Sequence, residues 1–93
     1  SSQDVQRPIC IIGLGLIGGS LLRDLAGYNH HVFGYNHSTS GARTAVKQGF
    51  DVTDDLPTIL TRAETENALI VIAVPMGAVG EVLDAIQEHA PSC

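Results

Sequence analysis

Short blocks of β-forming apolar residues alternate along this chain with stretches whose apolar residues recur every three to four positions. The block Ile9-Cys10-Ile11-Ile12 predicts a strand over residues 8–12. A helix over 16–26 follows, with Ile17, Leu21, Leu22 and Leu25 on one stripe and Gly27 and Asn29 as its stop. His31 to Tyr35 reads as a second strand. Ser38 to Ser40 offer caps for a second helix running to about Gln48, with Ala42, Ala45 and Val46 inward and Gly49 ending it. Residues 50–53 form a short third strand. Asp54 and Asp55 before Pro57 start a short helix carrying Ile59 and Leu60, and Glu64-Thr65-Glu66 reads as a solvated loop beyond it. The fourth strand, residues 68–74, is apolar on both faces, as a parallel strand covered by helices must be. Pro75-Met76-Gly77 breaks it. A last helix sets Val79, Val82, Leu83 and Ile86 inward and Glu81, Asp84 and Glu88 outward.

Strands alternating with helices mean right-handed βαβ units and a parallel sheet. The expected architecture is α/β, a Rossmann-type doubly wound sheet of strand order 3-2-1-4, with residues 1–93 as one N-terminal dinucleotide-binding domain. In that order the apolar fourth strand is an open edge, which proteins normally cover. The sheet is therefore expected to be partial and the chain a piece of a longer two-domain polypeptide.

The glycines set the chemistry. Gly13-x-Gly15-x-x-Gly18 lies between the first strand and the first helix, the context that gives this spacing meaning. Gly13 permits the tight turn, Gly15 lets a pyrophosphate approach the main chain, and Gly18 lets the helix pack closely on the sheet. Leu14, Leu16 and Ile17 complete the loop, whose N–H groups at the helix start face a phosphate. A purely structural glycine turn would need one or two of these glycines, not three in this register. The loop is read as a dinucleotide site.

The end of the second strand addresses which dinucleotide. A carboxylate there would accept from the adenine ribose hydroxyls and repel a 2′-phosphate. The chain instead carries the neutral Asn36, followed by the donors His37, Ser38 and Thr39, with Arg43 one turn into the helix. NADP is thus expected in preference to NAD. Ser38 or Thr39 also suits a helix cap, which is compatible with phosphate binding.

Composition narrows the partners. Of 93 residues, ten are acidic and five basic, a net charge of −5, which argues against nucleic acid or an anionic membrane. No apolar run reaches membrane-spanning length, and SSQDVQRP lacks the plan of a signal peptide. Cys10 and Cys93 are read as free thiols, which fits a reducing cytoplasm. His30, His31, His37 and His89 are not spaced as metal ligands, and no arrangement of nucleophile and base stands out. The residues describe a binding site without a reaction centre.

The string Gly13-Leu14-Gly15-Leu16-Ile17-Gly18-Gly19-Ser20 resembles the opening of the prephenate and arogenate dehydrogenases of tyrosine biosynthesis, and the likeness extends through VFGYNHS, AVKQGF and ALIVIAVP. The resemblance implies an oxidoreductase that transfers hydride to a nicotinamide with loss of carbon dioxide. It also implies that Ala73, Val74 and Pro75 wall the cofactor where the fourth strand ends. It implies catalytic residues and a helical, substrate-binding, dimerising domain that lie beyond these 93 residues, so no catalytic residue is assigned here. Asn36 departs from the acidic residue many members carry. Two other readings remain open: the cofactor domain of a β-hydroxyacid-type dehydrogenase, and a non-enzymatic NAD(P)-sensing module.

Overall fold

The computed structural model describes residues 7–93, so most of the segment read for a leader, residues 1–6, lies outside the described residues. The elements run β1 (Ile9–Ile12), α1 (Leu16–Gly27), β2 (Val32–Tyr35), α2 (Thr39–Lys47), β3 (Val52–Thr53), α3 (Leu56–Glu66), β4 (Leu69–Ile72), a single 3₁₀ turn (Met76–Ala78) and α4 (Val79–His89). The four strands form one parallel sheet of order β3-β2-β1-β4, as expected. Ile9 pairs with both Val32 and Leu69, and Gly34 with Val52, so all four strands end at one rim of the sheet.

The strand alternation divides the core into two layers. Cys10, Ile12 and Phe33 face α3 and α4, packing with Ile59, Leu60, Ala63 and Val82. Ile11 and Val32 face α1 and α2, packing with Leu22, Ala42 and Ala45. β4 is at the edge, and its Leu69 is 47% exposed. No helix among the described residues is long and apolar enough to cross a membrane.

Helix ends follow local chemistry. The Ser38 hydroxyl accepts from the Gly41 N–H at 3.2 Å and caps α2. Asp55 accepts from Thr58 N–H at 3.1 Å and caps α3. Asn29 and Asn67, after α1 and α3, both take positive φ, a conformation asparagine tolerates better than most residues.

Several expectations are corrected. Ile17, Val46 and Leu83, placed inward by periodicity, are 81%, 53% and 52% exposed. Each helix rests on a sheet through a narrow stripe, and these residues sit at or beyond its margin. Glu64-Thr65-Glu66 is helical, because α3 runs to Glu66 and ends on the left-handed Asn67 rather than soon after Leu60. Ala63 is buried and Arg62 pairs with Glu66 one turn later at 2.7 Å, which carries the helix on. β3 and β4 are shorter than expected, since Phe50, Asp51, Ala68, Ala73 and Val74 fall outside the paired residues.

At the rim opposite the strand ends, Arg62 lies 4.0 Å above the Phe33 ring and also holds Asp51 at 2.8 Å. His31 lies beside this group, its Nε2 3.2 Å from the guanidinium and its Nδ1 3.6 Å from Glu66. The cluster ties α3 to β2 and to the entry of β3.

Candidate nucleotide-binding site

Because the strands are parallel, the turns that follow β1, β2 and β4 meet at one rim, where the sheet order reverses between β1 and β4. Open α/β sheets bind ligands in such crevices. Gly13 N–H donates to the Tyr35 carbonyl and Ala73 N–H to the Ile12 carbonyl, both at 2.8 Å, tying the three strand ends together just below the crevice. Above them opens a cleft of about 810 Å³ lined by Gly13, Leu14, Gly15, Leu16, Ile17, Tyr35, Asn36, His37, Leu56, Ala73, Val74, Pro75, Ala78, Glu81 and Val82. Pockets for small ligands span roughly 300–1,000 Å³.

The three glycines have different reasons. Gly13 has φ +105°, and a Cβ there would stand 2.6 Å from the Ala73 carbonyl oxygen. A Cβ on Gly18 would collide with the Gly13 carbonyl oxygen and press on Ala73. Both positions are dictated by the protein's own packing. Gly15 is not. Its backbone, at φ −67° and ψ −162°, is open to any residue, and a Cβ would meet nothing within 4 Å. The missing side chain leaves room on the cleft side, where something other than this chain would lie against the backbone.

That backbone is available. Gly15 is the N-cap of α1 and no side chain caps the helix. Among the described residues the N–H groups of Gly15, Leu16, Ile17 and Gly18 take no hydrogen-bond partner, and Gly19 is the first to close a bond, to Gly15 O at 2.8 Å. No acidic residue stands in the first turn. Four free donors therefore stand at the positive end of a twelve-residue helix dipole, and the residues that carry three of them, Gly15, Leu16 and Ile17, line the cleft. An anion of phosphate size fits this cradle.

Of the residues read from sequence, the structure brings Gly13, Leu14, Gly15, Leu16, Ile17, Asn36, His37, Ala73, Val74 and Pro75 to the cleft. Gly18 sits behind it, buried in the first turn of α1 against Gly13 and Ala73. Ser38 turns to its capping bond and to Ser40 Oγ at 2.9 Å. Thr39 donates to Asp54 at 2.6 Å, and Arg43 lines a separate groove with Thr39, Val46, Lys47 and Asp54. The Asn36 amide donates to the Ser38 carbonyl at 3.3 Å and lies against Gly41, where a Cβ would push the amide aside.

Tyr35, Leu56, Ala78, Glu81 and Val82 were missed. All five lie at a strand end or in the first residues of a following helix on the same rim, and that placement was the available signal. Leu56, Ala78 and Val82 make the far wall apolar. Burial pushes the Tyr35 hydroxyl above its usual range, and the carboxylates of Asp54 and Glu81 push it further, so this end of the cleft is electronegative. No group of three or more histidine, cysteine, aspartate or glutamate side chains among the described residues could hold a metal.

Fold and site together define a dinucleotide-binding domain of the Rossmann class. Residues 8–92 match the family described as the NAD binding domain of 6-phosphogluconate dehydrogenase, and the chain belongs to that family. It is also 64% identical to a candidate prephenate dehydrogenase of Corynebacterium glutamicum ATCC 13032 whose crystal structure is known, with a TM-score of 0.91. The match covers 92% of this chain and 27% of that one. No curated protein matches the chain. A nicotinamide cofactor and a dehydrogenase setting follow from the family.

Proposed function

We propose that this chain is the nucleotide-binding part of a prephenate or arogenate dehydrogenase acting in tyrosine biosynthesis, with NADP preferred over NAD. The observation that carries the cofactor reading is the empty space at Gly15 beside four unpaired N–H groups. The dehydrogenase reading is supported by the 64% identity to the C. glutamicum protein. NADP preference is supported by the neutral Asn36 and the neighbouring His37 where an acid would disfavour a 2′-phosphate.

The chain's own groups would act by positioning. The amides of residues 15–17 would hold the pyrophosphate, Ala73, Val74 and Pro75 would wall the nicotinamide side, and the apolar Leu56, Ala78 and Val82 would exclude water from the nucleoside. When bound, the cofactor would supply a hydride acceptor for an oxidative decarboxylation of the substrate ring to a phenol. The substrate, a helical domain and a homodimer contact belong to the longer protein, which we place in the cytoplasm.

Titration with NADPH and NADH, followed by nicotinamide fluorescence, tests the reading. NADPH is expected to bind and to bind the tighter. The chain alone, mixed with NADP and either prephenate or arogenate, is expected to form no NADPH. Tighter NADH binding would overturn the preference, and turnover would overturn the assignment of the reaction centre to residues beyond these 93. The family match also suits a β-hydroxyacid-type dehydrogenase. Turnover of a 3-hydroxy acid, and not of prephenate or arogenate, by the longer protein would favour that reading.

A further inference from the structure

We propose that His37 is the coenzyme-specificity residue of this cleft, and that it recognises a 2′-phosphate only as the imidazolium, so that preference between the two coenzymes follows pH. The inference rests on the proposed NADP reading and deepens it. The turn after β2 looks rich in phosphate donors, but the structure engages most of them elsewhere. Asn36 donates to the Ser38 carbonyl at 3.3 Å. Ser38 caps α2 and pairs with Ser40. Thr39 is held by Asp54 at 2.6 Å. Arg43 lines a different groove, with Lys47 beside it. His37 is exposed, lines the cleft and has no hydrogen-bond partner among the described residues. No lysine or arginine lines the cleft, so His37 is its one side chain able to carry positive charge.

The surrounding charges sharpen the consequence. Glu81, in the first turn of α4, and the Tyr35 hydroxyl, at the end of β2, line the same cleft. Asp54, on the turn between β3 and α3, stands behind Thr39. With a neutral imidazole, a 2′-phosphate entering here meets the carboxylate of Glu81 and no cation. With an imidazolium it gains a charge-assisted bond. An ordinary histidine titrates near pH 6.5, inside the physiological range. The ribose diol of NAD needs no cation and is indifferent to the change.

The probe pair is adenosine 2′,5′-bisphosphate and 5′-AMP, which differ only in the 2′-phosphate. Affinities are measured by calorimetry at about pH 6 and about pH 8.5, on either side of the usual histidine value of about 6.5, for the wild-type chain, His37→Gln and His37→Arg. The wild-type preference for the bisphosphate is expected to fall by roughly tenfold or more as pH rises, the scale of one charge-assisted bond. His37→Gln is expected to show a weak preference at both values, and His37→Arg a strong one at both. The phosphate's own second ionisation, near pH 6, acts in the opposite direction and is read from His37→Gln. An unchanged preference in His37→Gln near pH 6, with 5′-AMP still bound, would overturn the role of His37 and leave the nucleotide cleft standing. Failure of every variant and the wild type to bind either nucleotide would overturn the cleft itself, and this proposal with it.

Discussion

Replacing Gly15 by valine separates a glycine required by a ligand from one required by the fold. The backbone at this position is extended and a Cβ would meet no atom within 4 Å, so valine enters without a clash. Its structural cost is that of a poorer N-cap than glycine, about 1 kcal/mol or less. For a domain of this size that lowers Tm by about 4–8 °C at most. Against a typical domain stability of about 5–15 kcal/mol the chain stays folded. The consequence for ligand is larger. The isopropyl group fills the space over the free amides of α1 and denies a phosphate hydrogen-bonding distance to them. Loss of two such charge-assisted bonds corresponds to about 3 kcal/mol, or at least about a hundredfold in Kd. NADPH fluorescence titration reads the second effect, and a thermal melt of the same sample reads the first. Gly18→Ala is the counterpart: its methyl would strike the Gly13 carbonyl oxygen, so folding itself is expected to suffer. Wild-type NADPH affinity in a folded Gly15→Val chain would refute the assignment of that space to the cofactor.

Two further outcomes follow from the packing. Arg62→Ala removes the pairs with Asp51 and Glu66 and the contact over Phe33, all partly solvated, and is expected to cost about 1–2 kcal/mol, lowering Tm by roughly 5–15 °C. Most of that loss should vanish when wild type and variant are compared in high salt, and an equal difference at all ionic strengths would show the ion pairs to be idle. Thiol labelling at neutral pH should modify Cys93 in the native chain and spare Cys10, which is fully buried in β1 and whose pKa is pushed up to about 12, chiefly by that burial. Two equally fast thiols under native conditions would contradict the packing of β1.

The strand order and the cleft's position were legible because they depend on local signals. Period-two and period-3.6 patterns fixed the alternation, and the handedness of crossovers then left few arrangements. The helix faces were legible only approximately. Ile17 and Leu83 fit an apolar stripe as well as Leu22 and Val82 do, yet they stand in solvent, because periodicity gives a face and not its width. The true length of α3 escaped notice because Glu64-Thr65-Glu66 has the composition of a loop. What keeps it helical is the burial of Ala63, the Arg62–Glu66 pair and the left-handed turn at Asn67.

By itself the sequence determined the parallel sheet, its order and the bared backbone at the head of the first helix, since glycine spacing and strand-to-helix succession are properties of neighbours in the chain. Only the tertiary structure decided which donors reach the cleft. Thr39 is withdrawn by Asp54, fifteen residues away, and Arg43 by the direction in which α2 leaves the sheet, while Glu81 arrives from α4. The reason is physical: a polar side chain near a strand end takes the nearest satisfying partner, and which partner is nearest depends on elements brought together only when the sheet closes.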